Sequence, residues 1–107
     1  STFYWCPVRV LRDSTQINAP DAAGSNRLLA NSVQTTNTSN TYILMTLPIT
    51  VLDSPSSTSA LTYKAQYAVL NTSGQTAWVN KTSRDSDNAN GYDPRGSSSI
   101  TVLEIGA

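Results

Sequence analysis

The chain has 107 residues, a length that suits one domain built around one hydrophobic core. Hydrophobic residues make up 38% of it, but charged residues only 13%, about half the usual share, so Ser, Thr and Asn hydrate much of the surface. Seven basic and seven acidic side chains cancel, which argues against nucleic acid and anionic lipid as partners. We therefore expect a single domain over residues 1–107.

Neither a membrane span nor a signal peptide is visible. The longest apolar run, residues 42–47, ends at Pro48 and is far below the roughly 20 residues that a spanning helix needs. No basic segment precedes an apolar stretch and a cleavage site at the N-terminus. We expect a soluble chain without membrane insertion. The sequence begins at Ser1 and not at Met, which leaves a processed or incomplete chain open.

The first predicted strand covers residues 3–11, where Pro7 favours an edge position or a kink. Cys6 lies in this strand between Trp5 and Pro7, and it is the one cysteine of the sequence. An internal disulfide is therefore excluded, and packing and hydrogen bonds must hold the fold. We expect Cys6 to be a buried, inert thiol.

A further strand is predicted over residues 42–52, bent where Pro48 lacks the N–H of a ladder. Residues 27–33 give only weak support for a helix, and we interpret them as turn or strand. Other stretches carry Pro, Gly and Asn at positions that interrupt any regular period. We predict loops at residues 18–27, 35–40, 53–59 and 82–97.

Residues 61–70 show the clearest strand pattern, because apolar and polar side chains alternate along the whole segment. Asn-Thr-Ser-Gly at residues 71–74 follows as a turn that suits a hairpin. Residues 75–81 then predict the returning strand. The sequence therefore predicts a β-hairpin over residues 61–81.

The last predicted strand covers residues 98–105 and carries apolar groups on both faces. Such a strand is covered on both sides, and we expect the opposite sheet on one side and a neighbouring subunit on the other. Ile100, Val102 and Leu103 are the candidate subunit interface. Short strands about ten residues apart, with turns between them, predict an all-β sandwich or barrel.

The sequence offers no constellation for catalysis. It contains no His, the usual base at neutral pH and the commonest metal ligand. All six Asp residues lie beside turn-forming residues, where Asp normally bonds its own backbone, and Glu104 alone lies in a predicted strand. We predict that the protein is not an enzyme and has no catalytic residue.

The segment 85–93 concentrates oxygen-bearing side chains around a glycine, as calcium loops do. The match to a calcium loop is poor, because Gly91 lies one position too late and Gly96 stands where the closing Glu belongs. We expect no metal and no cofactor, with an irregular calcium site as the alternative. The candidate ligand-facing residues of this loop are Asp85, Asp87, Asn88, Asn90, Tyr92 and Asp93.

Several short motifs follow one another in a set order over most of the chain, from about Val10 to Ala107. They are Leu11-Arg12-Asp13, Asp21-Ala22-Ala23-Gly24-Ser25, Leu52-Asp53-Ser54-Pro55-Ser56-Ser57-Thr58-Ser59-Ala60 leading into Thr62-Tyr63-Lys64, Val79-Asn80-Lys81-Thr82, Asp85-Ser86-Asp87-Asn88-Ala89 and the ending Ser98-Ser99-Ile100-Thr101-Val102-Leu103-Glu104-Ile105-Gly106-Ala107. Each motif is weak alone. In this order and spacing, the sequence resembles the C-terminal domains of tail-fibre and other virion-surface proteins of tailed bacteriophages.

The resemblance implies a jelly-roll-like antiparallel β-sandwich, commonly trimeric and displayed on the virion surface. It implies a structural protein whose partners are its own copies and other virion proteins, with a host-attachment role toward a surface glycan. The family has no catalytic motif to transfer. Its members carry further strands before this region, so either Ser1 is the natural start or the sequence is the C-terminal part of a longer chain.

Two other functions stay open at this point. A capsid decoration protein would belong to the same structural class. A stand-alone carbohydrate-binding module is the alternative from another class, since aromatic rings stack on sugars while Asn and Asp bind hydroxyls. The aromatic residues in question are Tyr63, Tyr67, Trp78 and Tyr92.

Overall fold

The computed structural model describes residues 3–70 and 74–106, and within these ranges the protein is all-β, without a helix. The described strands are β1 (Phe3–Arg12), β2 (Thr15–Gln16), β3 (Ser32–Asn37) and β4 (Tyr63–Tyr67). They form one antiparallel sheet of four strands. Across the described ranges, the structure accordingly has no helix with the length and hydrophobicity that crossing a bilayer requires.

Strand β1 is the centre of the sheet. Val8 pairs with Ser32 of β3 and also with Tyr67 of β4, so β3 and β4 flank opposite edges of β1. The short β2 pairs with the last two residues of β1 and continues the edge that β3 occupies. The prediction of a strand over residues 3–11 is confirmed, and the strand is one residue longer.

The predicted edge position of Pro7 is wrong, because Pro7 lies inside the central strand. Its carbonyl accepts the N–H of Ala68 at 3.0 Å, but its nitrogen has no hydrogen to return. The ladder between β1 and β4 therefore stops at Tyr67 and is resumed by a single bridge between Trp5 and Leu70. The sheet thus accommodates proline by interrupting one ladder locally.

The gap between β2 and β3 is closed by a side chain. The Oδ1 atom of Asn31 accepts the N–H of Val10 at 2.8 Å, as a strand carbonyl would. Its Nδ2 atom donates to the carbonyls of Ile17 and Asn18 at 3.0 and 3.1 Å. Asn31 therefore satisfies backbone groups that no strand reaches, which favours its place just before β3.

The buried apolar core is small and is centred on β1. Among the described residues its members are Tyr4, Val10, Leu11 and Ile17. Side chains alternate across the sheet, so Tyr4, Val8 and Val10 face a wide groove while Leu11 packs on the reverse face. The groove has a volume of approximately 1390 Å³, and its far wall is made of segments that form no ladder bonds. The core is therefore only partly filled.

Several predicted strands form no ladder within the described residues. Residues 42–52, 75–81 and 98–105 belong to no described strand, so these three predictions are wrong. The predicted hairpin is also wrong, because β4 pairs with β1 and not with residues 75–81. Positions 71–73 of its turn lie outside the described residues. Loop predictions are confirmed for 18–27, 53–59 and 82–97, whereas β3 occupies half of the predicted loop 35–40.

The chain is extended for its length. Its radius of gyration is 16.7 Å, against about 13 Å for a compact domain of this size. Its principal dimensions are 52 × 37 × 17 Å, so the molecule is flat. The accessible surface is 8135 Å², against roughly 5800 Å² expected for a compact monomer of this mass. A single antiparallel sheet with a loose second layer thus leaves a large surface uncovered.

Candidate interaction surfaces

The segment 80–98 forms a closed surface loop. At its base, the N–H of Gly96 donates to the carbonyl of Asn80 at 2.8 Å, and Ser98 Oγ donates to Asn80 Oδ1 at 2.8 Å. Asn80 has a φ of 64°, a left-handed conformation that Asn tolerates better than most residues. These bonds bring the two ends of the loop together, and we call it the 80–98 loop.

Thr82 anchors this loop from inside. It is only 2% exposed, and it is the one buried polar residue among the described residues. Its hydroxyl donates to Asp93 Oδ1 at 3.0 Å and accepts the N–H of Asp85 at 3.1 Å. One hydroxyl thereby joins both sides of the loop, and it has a partner for each role.

Asp93 is held by an arginine. Arg84 donates to it twice, from Nε to Oδ2 at 2.6 Å and from Nη2 to Oδ1 at 2.9 Å. The guanidinium also lies over the ring of Tyr42, 5.8 Å from its centroid. The Asp93 side chain is 1% exposed, and the bonds from Arg84 and then Thr82 lower the pKa of its carboxyl against the opposing effect of burial. Asp93 is thus an ionised internal brace of the loop.

Asp85 is braced in the same way from the opposite side. Arg95 donates to it from Nε at 3.0 Å and from Nη2 at 2.7 Å, and Lys81 Nζ lies 3.4 Å from Oδ2. Lys81 in turn lies over the ring of Trp78, 4.8 Å from its centroid. The bond from Arg95 is the main cause that lowers the pKa of Asp85. A φ of 43° at Asp85 turns the chain at this point.

These contacts decide the role of the two aspartates. Their carboxylate oxygens accept hydrogen bonds from arginines inside the loop, so they do not converge on a common external point. In the described part of the chain, no three Cys, Asp or Glu side chains are placed to hold a metal ion. Asp85 and Asp93, predicted as ligand-facing, bind Arg95 and Arg84 within the loop in this structure.

The tip of the loop leaves other predicted residues on the surface. Asn88 is occupied with its own backbone, since its Oδ1 accepts the N–H groups of Asn90 and Tyr92 at 3.0 and 3.4 Å. This Asx turn holds the tip in shape. Asp87, Asn90 and Tyr92 are exposed, and the Tyr92 side chain is 61% accessible. A ring and two polar side chains therefore project from a braced loop.

The second surface is the C-terminal segment. Its large apolar side chains are accessible to an unusual degree: Ile100 58%, Val102 57%, Leu103 81% and Ile105 83%. Both faces of the segment are therefore open, whereas the two-sided apolar pattern predicted that the opposite sheet would cover one of them. The predicted interface residues Ile100, Val102 and Leu103 lie together here, at the rim of the groove.

Sequence reasoning missed a polar cluster that fastens the loop 53–59 to the sheet. Arg12 forms an ion pair and a hydrogen bond with Asp53, and Tyr63 Oη donates to Asp53 Oδ2 at 2.8 Å. These bonds lower the pKa of Asp53, with Arg12 the largest cause. Arg12 and Tyr63 are cross-strand partners, so only knowledge of the pairing could have joined them.

Comparison with protein families, with curated proteins and with solved structures finds no match to this chain.

Proposed function

We propose that this chain is a non-enzymatic structural module of a virion surface, of the kind that forms tail fibres or appendages of tailed bacteriophages. In this proposal it works as a homotrimer whose subunits complete a jelly-roll-like sandwich. The observation that carries the proposal is the uncovered apolar surface of the single chain. The resemblance of its motifs to virion-surface domains supplies the location.

The size of the uncovered surface fits assembly. The chain exposes about 2300 Å² more than a compact monomer of its mass. An interface of standard size buries about 800 Å² on each partner. In a closed ring every subunit has two interfaces, so the excess suffices for both. Each Å² of apolar surface buried between subunits stabilises the assembly by roughly 25 cal/mol. This contribution offsets the small amount of apolar surface that is buried in the core of one chain.

Within such a trimer, Ile100, Val102 and Leu103 form the subunit interface. Light scattering should give a trimer for the natural chain, and Val102→Asp should shift it toward the monomer because a carboxylate cannot be buried unpaired at low cost. Ser57→Asp, in an exposed loop, is the matched control and should leave the mass unchanged. An unchanged oligomer for Val102→Asp would remove this segment from the interface.

The virion location has its own test. Mass spectrometry of purified particles should detect the chain, and labelled antibodies viewed by electron microscopy should place it on the tail. Labelling over the whole head would instead favour the alternative of a capsid decoration protein. Particles that lack the chain would contradict a virion role of either kind.

A host-attachment role is favoured by one further observation, the braced 80–98 loop that presents Tyr92. A rigid loop loses little entropy on binding, and an exposed ring can stack on the apolar face of a sugar. A glycan array should therefore show selective binding that Tyr92→Ala abolishes and Tyr92→Phe retains. Equal binding by a monomeric variant would favour the stand-alone carbohydrate-binding module, and no binding at all would leave a purely structural role.

A further inference from the structure

The outer edge of β4 presents backbone groups without partners. Trp5 and Leu70 exchange two hydrogen bonds across the ladder, at 3.0 and 2.8 Å. Bonded and non-bonded pairs alternate in an antiparallel ladder, so the even-numbered residues of β4 direct their amides at β1. Tyr63, Ala65 and Tyr67 direct theirs outward, and no described residue bonds to these amides or carbonyls. An edge of this kind is a template for a further strand.

The C-terminal segment has the complementary properties. Residues 97–106 belong to no described strand, helix or turn, and within the described chain their backbone groups form no hydrogen bonds. The segment is rich in β-branched residues, which favour a pleated surface. Its apolar side chains are exposed on both faces. It therefore has the sequence of a strand but no neighbouring strand to pair with.

The charged residues indicate in which register the segment 97–106 could pair with the outer edge of β4. Glu104 is the one charged residue of the segment 97–106, and Lys64 is the one charged residue of β4. Neither takes part in a salt bridge within the described residues. Opposite charges directly across a ladder stabilise it, so Glu104 opposite Lys64 selects one register. In that antiparallel register Leu103 faces Ala65, where the small side chain leaves room for the large one.

We propose that residues 97–106 of one copy add to β4 of a second copy as an antiparallel edge strand, with Glu104 opposite Lys64. The occupant is a second copy because the surface excess of a single chain is large enough for two interfaces of standard size. Each copy gives one strand and receives one, which is a head-to-tail contact that closes in a ring. This inference rests on the proposed self-assembly and specifies its contact.

Proline substitutions test the edge. Ala65→Pro removes an outward N–H while the ladder to β1 keeps its bonds, and edge strands tolerate proline at such positions. The matched control is Thr35→Pro, which removes an outward N–H from the opposite edge, on β3. Sedimentation should show that Ala65→Pro weakens association by at least about tenfold, whereas Thr35→Pro leaves it unchanged. Circular dichroism of each variant checks that the sheet is retained.

A cysteine pair tests the register without proline. In a Cys6→Ser background, Gln66→Cys together with Val102→Cys should form a disulfide between chains, because these positions face each other across the added strand. Gln66→Cys with Leu103→Cys, one residue out of register, should not. A disulfide within one chain would overturn the proposal. Unchanged association of Ala65→Pro would also overturn it yet leave self-assembly standing, whereas a monomeric natural chain would overturn both.

Discussion

Replacing Thr82 with Val should loosen the 80–98 loop, because one buried hydroxyl serves both of its sides. Val keeps the shape of Thr but neither donates nor accepts. Asp93 Oδ1 retains its bond from Arg84 at 2.9 Å, whereas the N–H of Asp85 loses the hydroxyl that accepted it at 3.1 Å. A buried donor left unpaired costs about 1–3 kcal/mol. For a domain of this size, each kcal/mol lowers Tm by about 4–8 °C.

Urea denaturation followed by tryptophan fluorescence, at one fixed protein concentration, measures the loss. Thr58→Val is the matched control, since Thr58 is exposed and its substitution should change the free energy of unfolding by no more than about 0.5 kcal/mol. Thr82→Ser should keep most of the stability because its hydroxyl can make both bonds. If Thr82→Val were as stable as Thr58→Val, the hydroxyl would not be the anchor of the loop.

Three more variants probe the sheet and the loop. Asn31→Ala should lower the free energy of unfolding by about 2 kcal/mol in urea titrations, because the amide satisfies backbone groups between β2 and β3; an unaltered midpoint would contradict this. Leu11→Ala should lower the free energy of unfolding by about 2–5 kcal/mol, since Leu11 is buried on β1; a loss below 1 kcal/mol, roughly that of an exposed position, would place the core elsewhere. Because the pKa of Asp93 is lowered in the fold, its ionised carboxylate stabilises the fold above about pH 4. This stabilisation is lost as the pH falls through the lowered pKa of the folded state. Asp93→Asn should therefore be less stable than the natural chain at neutral pH, with a difference that narrows in acid; a constant difference would refute the brace.

Two of the predicted strands, over residues 3–11 and 61–70, correspond to the strands that the sheet uses at its centre and one edge, and the second was predicted from strong alternation. Alternation of apolar and polar residues shows that one face of a strand is buried, and this pattern can be recognised within a short stretch of sequence. Pairing is not local: β4 joins β1 from more than fifty residues away, so the hairpin predicted for residues 61–81 failed. Likewise β3, Ser-Val-Gln-Thr-Thr-Asn, has little apolar pattern and forms because the edge of β1 is open to it.

In the 80–98 loop and the C-terminal segment, too, the local pattern could be predicted from the sequence but the partners could not. Composition was enough to predict a loop over residues 82–97, and within it Asn88 caps its own backbone. It could not show that Asp85 and Asp93 point inward, because their partners Arg84 and Arg95 were not weighed as neighbours. Residues 98–105 have the pattern of a strand without a ladder in the single chain. A strand pattern without a ladder is expected if this segment pairs only with a second copy.

Self-assembly through an uncovered apolar surface is the central claim, and sedimentation equilibrium of the natural chain tests it most directly. We expect a mass three times the 11.5 kDa of one chain at micromolar concentrations. A mass of 11.5 kDa at every concentration would contradict it.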